Sequence, residues 1–501
     1  MKKTKFFIMT AFCMLSTSLF VLTAQESSEN EFPPPPPDGA EMDENFKPGK
    51  GKRPDGFGTV ADEKEPELNA VKLLADKENI SKVKLASKSK DESVVLASDG
   101  ISASLTDSEL IKKSGDTSNG GKSNFYGLNA AVVSKGGSSL ELKNVKIKTN
   151  ADGSNAVFST GEKSLIKIDG IEIVTENNSS RGLDATYGGT IEAKNVKIST
   201  KGAHCAAFAT DRGEGTVKVD NGTAETAGEG SPVIYSTGNI SVRNLTGKST
   251  GSEIAVIEGK NSILIQDSEI SGGTKSRRET GCAVMLYQSM SGDAGQGTSV
   301  FTSENSRLIS NSDGAFFYVT NTSAKVNLRN TDIVNPTELL LQVSKNNSER
   351  GWGRKGANGG TLEFNSENQK LSGKIIVDSI SKADLNFNAG TEFKGSINSE
   401  KAGKVNLNIS KKAVVELTDN SYVNILSDEA ADFSNIKSNG YTLFYNKNAE
   451  ENKALGNKVI NLKDGGKIIG IEMTFEEPKA EEGKKPGRPG KPPAGKGPSK
   501  K

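Results

Sequence analysis

Leu140-Glu-Leu142-Lys-Asn144 is the phrase on which the fold turns. It returns as Ile191-Glu-Ala193-Lys-Asn195, Val217-Lys-Val219-Asp-Asn221, Ile240-Ser-Val242-Arg-Asn244 and Val326-Asn-Leu328-Arg-Asn330, with Asp107, Gly170 and Asp267 in the fifth slot elsewhere. The interval is about 25 residues, and the phrases run from near Ser102 to near Asn388. Apolar residues at every second place mark each phrase as a strand with one buried face. Asn or Asp in the fifth place turns the chain, because its side chain bonds local backbone and tolerates left-handed dihedrals. A short repeat of strands and turns with no helical stretch predicts a solenoid.

A second ladder precedes the first in each repeat: Ala130–Val133, Asn155–Phe158, Arg181–Asp184, Cys205–Phe208, Pro232–Tyr235, Ile254–Ile257, Cys282–Met285, Ala315–Tyr318 and Leu339–Gln342. A third follows the Asn turn, as in Val145-Lys-Ile147, Ile171-Glu-Ile173 and Val196-Lys-Ile198. Three short strands per turn, each stacked on its equivalent in the next repeat, predict an all-β parallel β-helix. One repeat cannot bury its own face, so stability comes from the stack. At roughly 4.8 Å per rung, about a dozen rungs make a rod on the order of 60 Å long.

The ends read differently. Residues 1–24 carry Lys2, Lys3 and Lys5, an apolar run from Phe6 to Leu22 and Leu-Thr-Ala24, the layout of a signal peptide, which predicts a secreted or cell-surface protein. Cys13 lies inside that run, after Phe12, and so outside the mature chain. No later segment approaches the ~20 apolar residues a membrane helix needs. Residues 25–58, with Pro33 to Pro37, read as a disordered linker. Residues 59–95 are expected to cap the rod, with Leu68 to Leu85 as the cap itself. The β-helix then runs over 96–400, with C-terminal rungs and a cap over 401–475. Residues 476–501 form a disordered tail in which Gly483–Lys501 holds seven Lys or Arg and no acid. That tail either solubilises the chain or docks on anionic cell-envelope polymers.

The whole chain has 64 basic against 63 acidic residues, which argues against nucleic acid as a partner. Only Cys205 and Cys282 follow the leader. Aligned by ladder they share a column three rungs apart, roughly 14 Å at strand spacing, whereas a disulfide needs Cα atoms within about 7 Å. Two free structural thiols are expected.

Several longer phrases resemble a known group. Arg181-Gly-Leu-Asp-Ala-Thr-Tyr-Gly-Gly189, Gly202-Ala-His-Cys-Ala-Ala207, Thr210-Asp-Arg-Gly-Glu-Gly215, Tyr287-Gln-Ser-Met-Ser-Gly-Asp293, Phe317-Tyr-Val-Thr-Asn-Thr322 and Trp352-Gly353 are similar to adhesin-like, right-handed, pectate-lyase-like β-helix proteins secreted by anaerobic gut microbes. The likeness spans roughly Gly127 to Asn424. It implies a right-handed solenoid that binds polysaccharide or host and cell-surface glycans. This chain departs from such proteins in carrying neither a sorting signal nor a final membrane-barrel strand.

The residues offer one chemical constellation. Ladder alignment places Ser154, Ser180, His204, Ser231 and Glu253 in one column and Asn155, Arg181, Cys205, Pro232 and Ile254 in the next. Asp184 falls in the slot of Phe158, Phe208 and Tyr235, and Asp211, Arg212 and Glu214 follow near Tyr187. Three readings stand: carboxylates and arginines sealing a tight corner; arginines gripping acidic sugars bidentately, with Tyr187 as a stacking ring; or a lyase or hydrolase acting on acidic glycans. His204 is the sole histidine, so no paired-histidine metal site exists. Calcium on Asp184, Asp211 or Glu214 would be the one cofactor to consider, although the acids lack the dense spacing of a calcium loop.

Two insertions, between Glu269 and Ser299 and between Ser344 and Thr361, are expected as loops on one flank. Trp352, the only tryptophan, sits between Arg350 and Arg354 and is either a cap over the strands or a platform for a sugar ring. The combined expectation is a noncatalytic β-helix that binds glycans or another surface, with an acidic-glycan lyase or hydrolase, or a passive stalk, as alternatives.

Overall fold

The computed structural model describes residues 64–276, 280–289, 291–347, 352–475 and 479. The leader, the Pro-rich linker, the basic tail and Arg350 lie outside these residues. Within them the chain is an all-β parallel solenoid of about 16 turns, only 3% helical. The count exceeds a dozen because the weakly patterned stretches at both ends also pair: Asn79–Ser81 and Lys84–Ser87 join the rungs that follow, and Ile425–Asp428 joins Lys404–Ile409.

Twelve short parallel strands, from Asn69–Leu73 (β1) to Lys374–Val377, stack into the first sheet. The expected second and third faces are continuous in mid-solenoid, where single strands of 11 residues such as Ser139–Thr149, Leu165–Thr175 and Thr190–Thr200 cross the corner between them. One residue makes each bend. Asn144, Asn195, Asn221 and Asn244 have φ of +52°, +56°, +66° and +53°, and Gly170 has +83°. The bent amides also bond along the stack: Asn221 Nδ2 donates to Asn195 Oδ1 at 2.8 Å, and Asn195 Nδ2 to Asp169 Oδ1 at 2.8 Å. Inside run apolar columns such as Leu140, Ile166, Ile191, Val217 and Ile240, beside a buried column of Thr149, Thr175, Thr200 and Thr226.

The two ends close by different means. At the C-terminal end a 3-10 turn over Glu450–Leu455 and the antiparallel pair Ile460–Asn461 and Lys467–Ile471 lie over Leu443 and Tyr445. Asn452 fastens this end by donating to the carbonyls of Asn424 (2.7 Å) and Asn446 (2.8 Å). At the other end, residues 69–87 are themselves the first rung. Lys72 stands there in the column that Val95, Val132, Val157, Leu183 and Phe208 fill with apolar side chains, and its ammonium pairs with Glu78 at 2.6 Å. A charge pointing inward is one of the ways proteins blunt an exposed sheet edge.

One element departs from the expectation of strands alone. Gly120–Tyr126 (α1) is a short helix inserted before the first-sheet strand Val132–Lys135. Asn119 caps it by accepting from Lys122 N–H at 2.9 Å, and Gly127 ends it at φ +74°. No other residue fits at Gly127, since a Cβ there would lie 2.6 Å from the Phe158 ring.

Candidate functional site

The outward column of the first sheet runs Leu96, Val133, Phe158, Asp184, Ala209, Tyr235, Val256, Met285, Tyr318. It is apolar at both ends and charged in the middle. Most of it is buried, because α1 and the inserted loops around 288–297 and 352–358 lie over it. Both insertions thus contribute to one flank, where Asn321 Nδ2 donates to the carbonyl of Gln288 at 2.7 Å and Trp352 packs on Tyr287 with ring centres 4.5 Å apart.

At the centre is Arg181. Its Nη1 donates to Asn124 Oδ1 of α1 at 2.8 Å and reaches Asp184 Oδ2 at 3.4 Å, while Nη2 donates to Asp211 Oδ2 at 2.9 Å. Asp184 is fully buried, and its Oδ1 has no hydrogen-bond donor. Burial pushes both carboxyls above the ordinary range, against the pull of the guanidinium, and Asp293 raises Asp211 further. Arg212 turns the other way. It pairs with Asp293 from the inserted loop and lies over the Phe125 ring at 3.8 Å. Tyr187 stacks on Tyr126 at 5.2 Å and 18°, their hydroxyls 3.3 Å apart, and its φ of +48° marks the corner after the strand. Burial, then the Tyr126 hydroxyl, raises the Tyr187 phenol. Glu214 pairs with Lys260 at 2.7 Å on the rim.

Two rungs beyond Asp211, Glu258 is buried, and among the described residues no cation pairs with it. Tyr235 and Tyr287 each donate to its Oε2 at 2.9 Å, and Ser289 and Ser291 donate to Oε1, the latter at 3.4 Å. Burial raises this carboxyl, while the Ser289 hydroxyl opposes the shift.

Arg181, Asp184, Tyr187, Asp211 and Arg212 therefore meet as expected, but His204 does not share the column given to it. The rung is offset by one residue: Leu183 pairs with Phe208, so Asp184 lies beside Ala209, and Phe208 points inward. The true column is Ser154, Ser180, Cys205, Ser231. Ser154 N–H donates to Ser180 Oγ at 2.9 Å, Ser180 N–H to Cys205 Sγ at 3.1 Å and Cys205 N–H to Ser231 Oγ at 2.9 Å. His204 occupies the left-handed corner before it, at φ +58°, the place of Gly153, Ser179 and Gly230 in neighbouring rungs, with its side chain exposed. The same offset removes Cys282 from the column of Cys205, and both cysteines are buried and outside any disulfide among the described residues. Burial pushes the Cys205 thiol up to about 11.

Trp352 is 7% exposed in a cluster with Val256, Cys282, Met285, Tyr287 and Tyr318, so it covers the strands and offers no open ring face. Arg354 is exposed beside it. The uronate grip meets a similar obstacle, since both guanidiniums already face carboxylates. For calcium, Asp184 and Asp211 turn toward Arg181 and Glu214 toward Lys260, which puts a cation in each place. Asn124, Phe125, Tyr126, Tyr235, Glu258 and Asp293 complete the site and escaped the sequence reading. Asp293 ends a phrase singled out above, and the Asn119 and Gly127 caps are the sequence signals for α1.

No protein-family model matches the chain, and neither a curated protein nor a solved structure matches it. Among the described residues no helix is long and apolar enough to cross a membrane.

Proposed function

We propose that the chain is a noncatalytic binding solenoid of the cell exterior, and that it contacts glycans or another surface through the outer face of its first sheet. One observation carries this reading. The groups suited to chemistry, Arg181, Asp184, Asp211 and Glu258, are buried and bonded to one another or to hydroxyls, whereas the half-buried rings of Phe125, Tyr126 and Tyr187 and the pairs Arg212–Asp293 and Glu214–Lys260 reach the surface above them. Rings with charged and amide neighbours are what a sugar face needs for stacking and hydrogen bonding. On this rim Arg212 and Lys260 are each paired with a carboxylate of the chain itself, which favours a neutral glycan over a uronate. The leader supports an exported protein, and the basic tail supports a second contact with anionic envelope polymers.

A glycan array run beside a turnover assay tests the proposal. Retention of intact polysaccharide, weakened by Tyr187→Ala, is the expected result. The hydrolase reading gains from the raised carboxyls of Asp184 and Asp211, since an acid that keeps its proton near neutrality can serve as a general acid. Release of reducing ends or unsaturated sugars, abolished by Asp211→Asn, would establish that reading instead.

A further inference from the structure

The charges beneath α1 do not balance. Arg181 faces two carboxylates, Asp184 and Asp211, and the next cation, Arg212, is taken up by Asp293. Glu258, two rungs beyond Asp211, adds another acid, met among the described residues by hydroxyls alone. The other titratable groups around the triad are Cys205, Tyr235, Tyr126 and Tyr187, none of which supplies a positive charge. A buried net negative charge is costly, and a proton is the cheapest neutraliser. Asp184 Oδ1, fully buried with no donor, is poorly placed to carry charge.

The element above the triad is lightly held. Ser123 is the only buried residue of α1. Ser123 is tied down by its hydroxyl, which donates to the Gly153 carbonyl, and by its own carbonyl, which accepts from Asn155 Nδ2 at 3.3 Å. The remaining fastenings of α1 to the sheet are Asn124 on Arg181, Phe125 under Arg212, the Phe125 carbonyl accepting from Thr186 Oγ1 at 2.8 Å, and Tyr126 on Tyr187. Two of these four depend on the arginines of the charged cluster. An element with few buried apolar contacts opens well before the whole fold does.

We infer that Asp184 and Asp211, facing the permanently charged Arg181, share one carboxyl proton at neutral pH, and that losing it by mildly alkaline pH releases α1 from the first sheet. With both carboxyls ionised, the triad keeps its extra negative charge only if water enters, and the way in lies under Asn124. The raised positions of the two carboxyls agree with a retained proton. The face bearing Phe125, Tyr126 and Tyr187 is then intact in neutral and acidic surroundings and dismantled in alkaline ones. α1 would respond in this way whatever that face binds.

Hydrogen exchange on the full chain, corrected for the pH dependence of intrinsic exchange, tests this. In the wild type, protection over residues 120–128 should fall by up to about tenfold per pH unit as pH rises from the ordinary carboxylate range toward the raised values of the closed form, the slope of one proton lost on opening, and level off at its lowest above them. Protection in Ser139–Thr149 and Leu165–Thr175 should hold. Asp211→Asn removes the ionisation while keeping the shape, and should abolish the slope; Asp184→Asn gives the same reading if the first variant folds poorly. Wild-type protection of 120–128 that does not vary with pH, or an undiminished slope in the Asn variants, would overturn the inference.

Discussion

The second and third faces of the solenoid and the outer face of its first sheet carry similar charged residues under opposite conditions. On the former, signs alternate from rung to rung: Lys146, Glu172 and Lys197 stack in one column with Nζ–Oε distances of 3.6 and 3.0 Å, and Lys218 pairs with Glu192 at 3.2 Å. These pairs stand in water, where such contacts contribute little. On the outer face of the first sheet, α1 and the inserted loops exclude water, so each ion must find its partner or shift its protonation. The strand repeat delivers side chains to both places alike; what lies over a column decides what its charges are worth.

The largest test of this contrast is Arg181→Ala. It strands two buried carboxyls and should cost ~4 kcal/mol, the range for breaking a buried pair. The loss, read by denaturant titration, should shrink in acid as the carboxyls take up protons. Trp352→Ala removes a buried ring from the same covered face and should cost ~3 kcal/mol; a melt indistinguishable from wild type would mean that the ring is not a cover.

The two regions should also differ in the sign of their pH dependence. Asp184 and Asp211 lie above their ordinary value in the folded chain, so their stabilising contribution is complete in acid and declines as pH rises past the ordinary carboxylate range toward the raised folded values. Glu172, Glu176 and Asp220 lie below theirs, chiefly through hydrogen bonds from Lys197, Lys201 and Arg243, so their contribution is complete at neutral pH and is lost as pH falls. Melting curves across pH should therefore be flattened by Asp211→Asn between the ordinary carboxylate range and the raised folded values, and only there. The smallest effect belongs to Lys197→Ala, which should leave the melting temperature within about a degree at any salt concentration.

The solenoid was legible in the sequence because its signal is redundant: one misread rung leaves the other columns intact. The site had no such protection. Aligning Arg181–Asp184 with Cys205–Phe208 looked sound because Phe208 and Ala209 both suit a strand, and only the pairing of Leu183 with Phe208 shows which points inward. That single residue moved His204 from the site to a corner. Asn124 and Asp293 reach the site from 57 and 81 residues away along the chain, by way of insertions whose landing place no period predicts. Trp352 admits two readings for the same reason, since its surroundings in sequence are glycines and arginines while its surroundings in space are Tyr287, Met285 and Tyr318.

Lys72 has a consequence for how such a chain behaves in company. A stack of parallel strands has no intrinsic reason to stop, and a first rung lined with hydrocarbon would be a seed onto which further chains could add, end on end, into a filament. The ammonium of Lys72, turned inward and paired with Glu78, makes that addition require stripping water from an ion pair. The same architecture that lengthens by simple repetition within the chain thus carries, in its first strand, a charge that disfavours repetition between chains.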